Sequence, residues 1–139
     1  MGTKKTIRVV IDTNVVVSSL LFGGVPARLR SLWRDGTITP LISPEIMTEY
    51  LRVFTYPKFK LTGEEINTLL TIELLPWFEV IKAPTGTPFV TLDPADDKFI
   101  WCAMAGQASC IISGDEHLLT CTASPVPILT ANTFLLKLE

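Results

Sequence analysis

Short apolar runs that stop abruptly at an acidic residue recur along this chain. The first is Arg8-Val9-Val10-Ile11-Asp12-Thr13-Asn14. Consecutive apolar positions at Val9 to Ile11 fit a parallel strand buried on both faces, so Ile7 to Ile11 read as strand one, with Asp12 at the mouth of a sheet. Thr13 or Asn14 can cap a helix running to Leu21, ended by Gly23-Gly24, although Val15 to Val17 weaken that reading. Pro26 suits a first helical position, Leu29, Leu32 and Trp33 form an apolar stripe, and Gly36 closes that helix. Ile38 to Ile42 predict a second strand, in which Pro40 argues for an edge position or a late start. Ser43-Pro44 opens a helix whose buried face is Ile46, Met47, Tyr50, Leu51 and Phe54, with Glu49 at its border.

Tyr56-Pro57-Lys58 breaks the chain, 64–75 reads as a helix, and Trp77 to Ile81 as a third strand. Pro84 to Pro88 form a loop. Asp93-Pro94 starts a helix carrying Phe99, Ile100, Ala103 and Met104; Cys110 to Ser113 are the fourth strand, and Gly114-Asp115 the next junction. Val126 to Leu129 and Thr133 to Leu138 supply a last strand and helix. Strands separated by helices require right-handed crossovers. The expected fold is therefore α/β: a three-layer α/β/α sandwich around a parallel sheet of four to five strands, in one domain over 1–139.

Composition sharpens this picture modestly. A hydrophobic fraction of 47% excludes a disordered chain, and 139 residues suffice for one core. Twelve Lys and Arg against fourteen Asp and Glu give a net charge of −2, so composition alone does not announce a nucleic-acid binder. Cys102, Cys110 and Cys121 lack the spacing of a metal knuckle and read as reduced residues. The basic start Met1 to Lys5 precedes no apolar stretch long enough for a signal segment, and no run approaches a membrane span. The expected location is the cytoplasm.

The acids carry the chemistry. Asp12 and Asp115 each follow a buried strand, where a helix cap competes with a functional role. Glu49 also fits a solvated residue or an ion-pair partner of Arg52 or Arg30. Asp93 has the spacing of a cap, whereas Asp96 shares a helical face with Phe99, Ile100 and Ala103 and must point inward, with Asp97 at the edge of that face. If Asp12, Glu49, Asp96 and Asp115 converge, each pair of unit charges about 4 Å apart repels by roughly 4 kcal/mol at an effective dielectric near 20. Such a group needs a cation. An all-oxygen donor set favours Mg²⁺ or Mn²⁺ over Zn²⁺, and these ions act on phosphodiesters. His117 reads as a surface or capping residue.

Val10-Ile11-Asp12-Thr13-Asn14, the segment Ser43 to Tyr50, the segment Asp93 to Ile100 and Ile111-Ile112-Ser113-Gly114-Asp115 together resemble, in order and spacing, a PIN domain. The similarity covers nearly the whole chain and points to the stand-alone PIN proteins assigned to prokaryotic toxin–antitoxin systems. It implies a Mg²⁺- or Mn²⁺-dependent endoribonuclease whose acidic quartet maps onto Asp12, Glu49, Asp96 or Asp97, and Asp115, with Asp97 a fifth ligand or an outer residue. Ser113 and Asn14 fall where the family places groups that orient ligands or water. Toxin-type similarity further implies a homodimer and a small antitoxin partner. Arg28, Arg30, Arg34, Arg52, Lys58 and Lys60 are candidates for RNA phosphate contacts. A haloacid-dehalogenase phosphatase is disfavoured because Asn14 stands where its second Asp belongs. A receiver domain fits poorly too, since strand three runs into Lys82-Ala83-Pro84. The remaining rival is a catalytically silent PIN-like module that binds RNA or a protein.

Overall fold

In a computed structural model that describes residues 6–90 and 93–138, five parallel strands form one sheet in the order β3-β2-β1-β4-β5. They are β1 (Ile7–Ile11), β2 (Ile38–Ile42), β3 (Glu79–Val80), β4 (Cys110–Ile112) and β5 (Ile128–Leu129). The helices are α1 (Thr13–Leu21), α2 (Val25–Arg34), α3 (Pro44–Phe54), α4 (Gly63–Thr68), α5 (Asp97–Ala105), α6 (Glu116–Leu119) and α7 (Ala131–Leu138). The result is a three-layer α/β/α sandwich around a parallel sheet. The basic start Met1 to Lys5 lies outside the described residues.

The central strands are apolar because both their faces are covered. Val9, Val10 and Ile11 of β1 and Ile111 and Ile112 of β4 have no exposed surface. Pairing β1 with β4 at Ile11 and Ile112 brings the residues that follow them, Asp12 and Ser113, side by side. The Asp12 N–H extends this ladder by one bond, donating to the Ile112 carbonyl at 2.9 Å. The strand order reverses at β1 and β4: the chain proceeds outward through β2 and β3 on one side and through β4 and β5 on the other. Open α/β sheets present a crevice at such a switch point.

Aromatic packing fixes the other flank. Trp33, Tyr50, Phe54 and Phe99 are fully buried. Phe78 meets Trp33 edge-on at 5.2 Å between ring centres and Tyr50 at 6.4 Å. The buried Tyr50 hydroxyl donates to the Ile11 carbonyl, tying α3 to the end of β1. Burial pushes the thiols of Cys102 and Cys110 up to about 12 and about 11, as befits inert core residues.

Several boundaries differ from the sequence reading. β2 is an interior strand, so the edge position expected from Pro40 is wrong. The proline is tolerated there because β3 pairs only with Leu41 and Ile42, after Pro40 has passed. The expected third strand shrinks to two residues. The helix expected over 64–75 starts one residue earlier, at Gly63, behind a Thr62–Glu65 capping box, and widens into a π-helical turn over Leu69–Leu74. Asp93-Pro94 opens a 3₁₀ turn over Pro94–Asp96 before α5 begins at Asp97. β5 is shorter and α7 longer than expected.

Candidate active site

The first acid is placed by the switch point. Asp12 ends β1 and is the N-cap of α1, its Oδ1 accepting the Asn14 backbone N–H at 2.8 Å. Its Oδ2 accepts the hydroxyl of Ser113. Asp115 caps α6 in the same manner, accepting the His117 N–H at 2.8 Å, and its own N–H donates to Ser113 Oγ at 2.9 Å. Capping and cleft placement are therefore not alternatives: in Asp12, one oxygen caps while the other turns to Ser113. Ser113 is fully buried and joins the two acids through one hydroxyl. Of the two supporting residues expected, Asn14 contributes its backbone rather than its side chain.

Asp96 closes the group. It is 8% exposed, and its Oδ2 is buried with no hydrogen-bond partner. Burial, then the negative charges of Asp93 and Asp115, a hydrogen bond to Asp115 open only to the protonated form, and last the charge of Asp12 push its carboxyl up to about 7. Burial also raises the Asp12 carboxyl, against the lowering effect of its bonds to Ser113 and Asn14. Ligand atoms of Asp93, Asp96 and His117 lie within 4.8 Å of one another. His117 Nδ1 stands 3.9 Å from Asp115 Oδ1 and 4.0 Å from Asp93 Oδ2. Asp93 keeps its expected capping role, accepting from the Ala95 N–H at 3.2 Å, yet it belongs to the cluster as well. His117, expected as a surface or capping residue, also places a ring nitrogen there.

Asp97 goes elsewhere. It is 3% exposed, and its Oδ1 accepts the backbone N–H groups of Phe89 at 2.9 Å and Val90 at 2.8 Å. One residue along a helix turns a side chain by about 100°, which sends Asp97 to the loop before Asp93 while Asp96 enters the cleft. Asp97 thus anchors a segment and is not among the gathered acids.

Glu49 projects from α3 into a different environment. Its Oε2 accepts the Thr13 hydroxyl, and its Oε1 lies 2.6 Å from Lys98 Nζ and 3.7 Å from Arg52. The ion pair with Arg52 was foreseen; Lys98 and Thr13 were not, because no local spacing announces a contact between the start of α5 and the middle of α3. Among the other basic candidates, Arg30 and Arg34 face Glu73 at 3.5 and 3.6 Å, and Arg28 lines a groove against α7. Lys58 lies over the Phe59 ring. Arg52 is the arginine of this set that stands beside the acids.

Residues 8–117 match the PIN domain family. The chain belongs to that family. PIN domains are generally metal-dependent nucleases that typically bind divalent metals, and the region matched contains Asp12, Glu49, Asp96 and Asp115. The chain is 34% identical over 119 residues to the uncharacterized protein MJ1680 of Methanocaldococcus jannaschii, an alignment spanning 84% of this PIN chain and 76% of that protein. The crystal structure of PAE2754 from Pyrobaculum aerophilum is similar in fold, with a TM-score of 0.56 at 12% identity, over 95% of this chain and 89% of the other.

The donors suit a hard divalent ion. Asp96, with an orphaned oxygen and a raised pKa, lies among carboxylates that have no Lys or Arg of the described residues within ion-pair distance. Such a site gains a cation by losing a proton.

Proposed function

We propose that the protein is a Mg²⁺- or Mn²⁺-dependent endoribonuclease that hydrolyses RNA phosphodiester bonds, and that it acts in the cytoplasm as the toxin of a toxin–antitoxin pair. The observation that carries the nuclease reading is the orphaned, buried Oδ2 of Asp96 among three further carboxylates at the sheet's switch point. Asp96 would hold the ion with Asp93 and His117, whose ligand atoms lie within 4.8 Å of its own, beside Asp12 and Asp115, whose charges also reach it. A divalent ion held there would supply Lewis acidity for the phosphodiester and its attacking water and positive charge for the departing oxygen.

The residues around it do the rest. Ser113 fixes the orientation of Asp12 by donating to it, and it positions Asp115 by accepting its N–H. Asp96, with its carboxyl pushed up to about 7 in the absence of an ion, would give up that proton when the ion binds. Arg52, at the edge of a cavity of about 290 Å³ with Glu45, Thr48, Glu49 and Lys98, offers a guanidinium for an RNA phosphate.

The toxin assignment rests on similarity to stand-alone PIN proteins and brings with it a homodimer and an antitoxin partner. Gel filtration and the identity of the neighbouring gene test those two parts. For the chemistry, purified protein is expected to cleave RNA only with Mg²⁺ or Mn²⁺, and Asp12→Asn to abolish cleavage while melting like wild type. Cleavage that survives both EDTA and Asp12→Asn would sink the mechanism. RNA binding without turnover in a metal-loaded sample would favour the silent module.

A further inference from the structure

The carboxylates of the cleft are not equally available to a metal. Both oxygens of Glu49 are engaged within the protein, one by the Thr13 hydroxyl and the other by Lys98 at 2.6 Å, with Arg52 at 3.7 Å. Lys98 is itself enclosed: its side chain is 13% exposed, and its ammonium donates to the Ala95 carbonyl at 2.6 Å as well. An ammonium in such a place depends on its carboxylate, and recruiting Glu49 to a dication would leave that ammonium buried against one carbonyl. A dication and an ammonium sharing one carboxylate also repel each other more strongly than two unit charges would. Asp12, Asp96 and Asp115 face the opposite situation, with no lysine or arginine of the described residues within ion-pair distance.

We propose that Lys98 is the resident cation of the Glu49 side, making Glu49 a positioning residue rather than a metal ligand, so that a single divalent ion is held by the acids gathered around Asp96. The inference rests on the metal-nuclease reading and narrows it. Glu49 then acts by holding Lys98 in place beside Arg52, on the lining of the cavity they share.

Manganese titration of the full chain, by calorimetry and by the electron paramagnetic resonance of free Mn²⁺, tests this without recourse to activity. Wild type is expected to bind one ion, and Glu49→Gln to change its affinity by less than about threefold, while Asp96→Asn weakens it by roughly 100-fold. Lys98→Met releases Glu49 and should add a second ion or tighten the first by about tenfold. Lys98→Arg keeps a cation and should restore the single-ion stoichiometry. Loss of Mn²⁺ affinity in Glu49→Gln equal to that in Asp96→Asn would overturn the proposal, as would unchanged binding in Lys98→Met. Should Lys98→Met fail to fold, Glu49→Gln decides alone. A wild-type protein that binds no Mn²⁺ would overturn the metal-centre reading itself, and this inference with it.

Discussion

Where β1 and β4 end, Asp12, Asp96 and Asp115 stand together with one buried oxygen unpaired and a carboxyl pushed up to about 7, while a short distance away on α3 a fourth carboxylate is matched by Lys98, Arg52 and Thr13. The two sides use the same functional group to opposite ends. On the first, charge has been gathered with no lysine or arginine of the described residues to balance it, the arrangement that favours a cation. On the second, charge is neutralised internally, which makes a fixed dipole and a support. Surroundings, not residue type, divide these acids between the two tasks.

The largest effect should separate the sides by activity. Asp96→Asn is expected to lower Mn²⁺-dependent RNA cleavage by about 10³-fold or more, since a lost ligand removes several kcal/mol of transition-state stabilisation. Asp97→Asn, whose carboxylate serves the Phe89–Val90 backbone, should keep most of the rate. A greater loss in Asp97→Asn would erase the contrast. Next in size is Ser113→Ala. It removes the hydroxyl that joins Asp12 and Asp115, and Mn²⁺ affinity should fall by about 10- to 100-fold with little change in melting temperature.

The pH dependence of the metal-free protein tests the uncompensated side directly. Asp96 has a folded-state pKa above the ordinary carboxylate value, so between about pH 4 and pH 7 the folded chain binds more protons than the unfolded one. Its stabilising share is complete below pH 4 and is lost as pH rises to 7. Denaturant melts should show the EDTA-treated protein losing stability relative to Asp96→Asn across this range. Added Mn²⁺ should reverse the trend, because the ion takes the proton's place. A parallel pair of curves would mean that Asp96 is already ionised at pH 5. The smallest effect is confined to the anchor: Asp97→Ala should cost about 2 kcal/mol through two lost charge-assisted bonds, with unaltered Mn²⁺ affinity.

What was legible in the sequence follows the same divide. Asp12 and Asp115 could be located because a buried parallel strand must stop somewhere, and a carboxylate directly after such a run lies at the sheet's end. Asp96 could be chosen over Asp97 because a helical face is a local property. Lys98 could not be paired with Glu49, since that contact depends on how α5 lies across α3, far apart in sequence. The approach of His117 to Asp93 and Asp96 depends likewise on how the turn after β4 meets the start of α5, far apart in sequence. Pro40 misled because its local meaning, an edge, was overridden by a partner strand too short to ask for its missing N–H. The π-helical turn after α4 carries no signal in the apolar pattern, which fits an α-helix equally well.

Tyr50 follows Glu49 on α3, and its hydroxyl is bound to the carbonyl of Ile11, the residue immediately before Asp12. A rigid aromatic ring therefore works as a strut that gauges the gap between the two sides of the cleft. The length of that side chain sets how far α3, and Glu49 with it, stands from the strand end that carries Asp12.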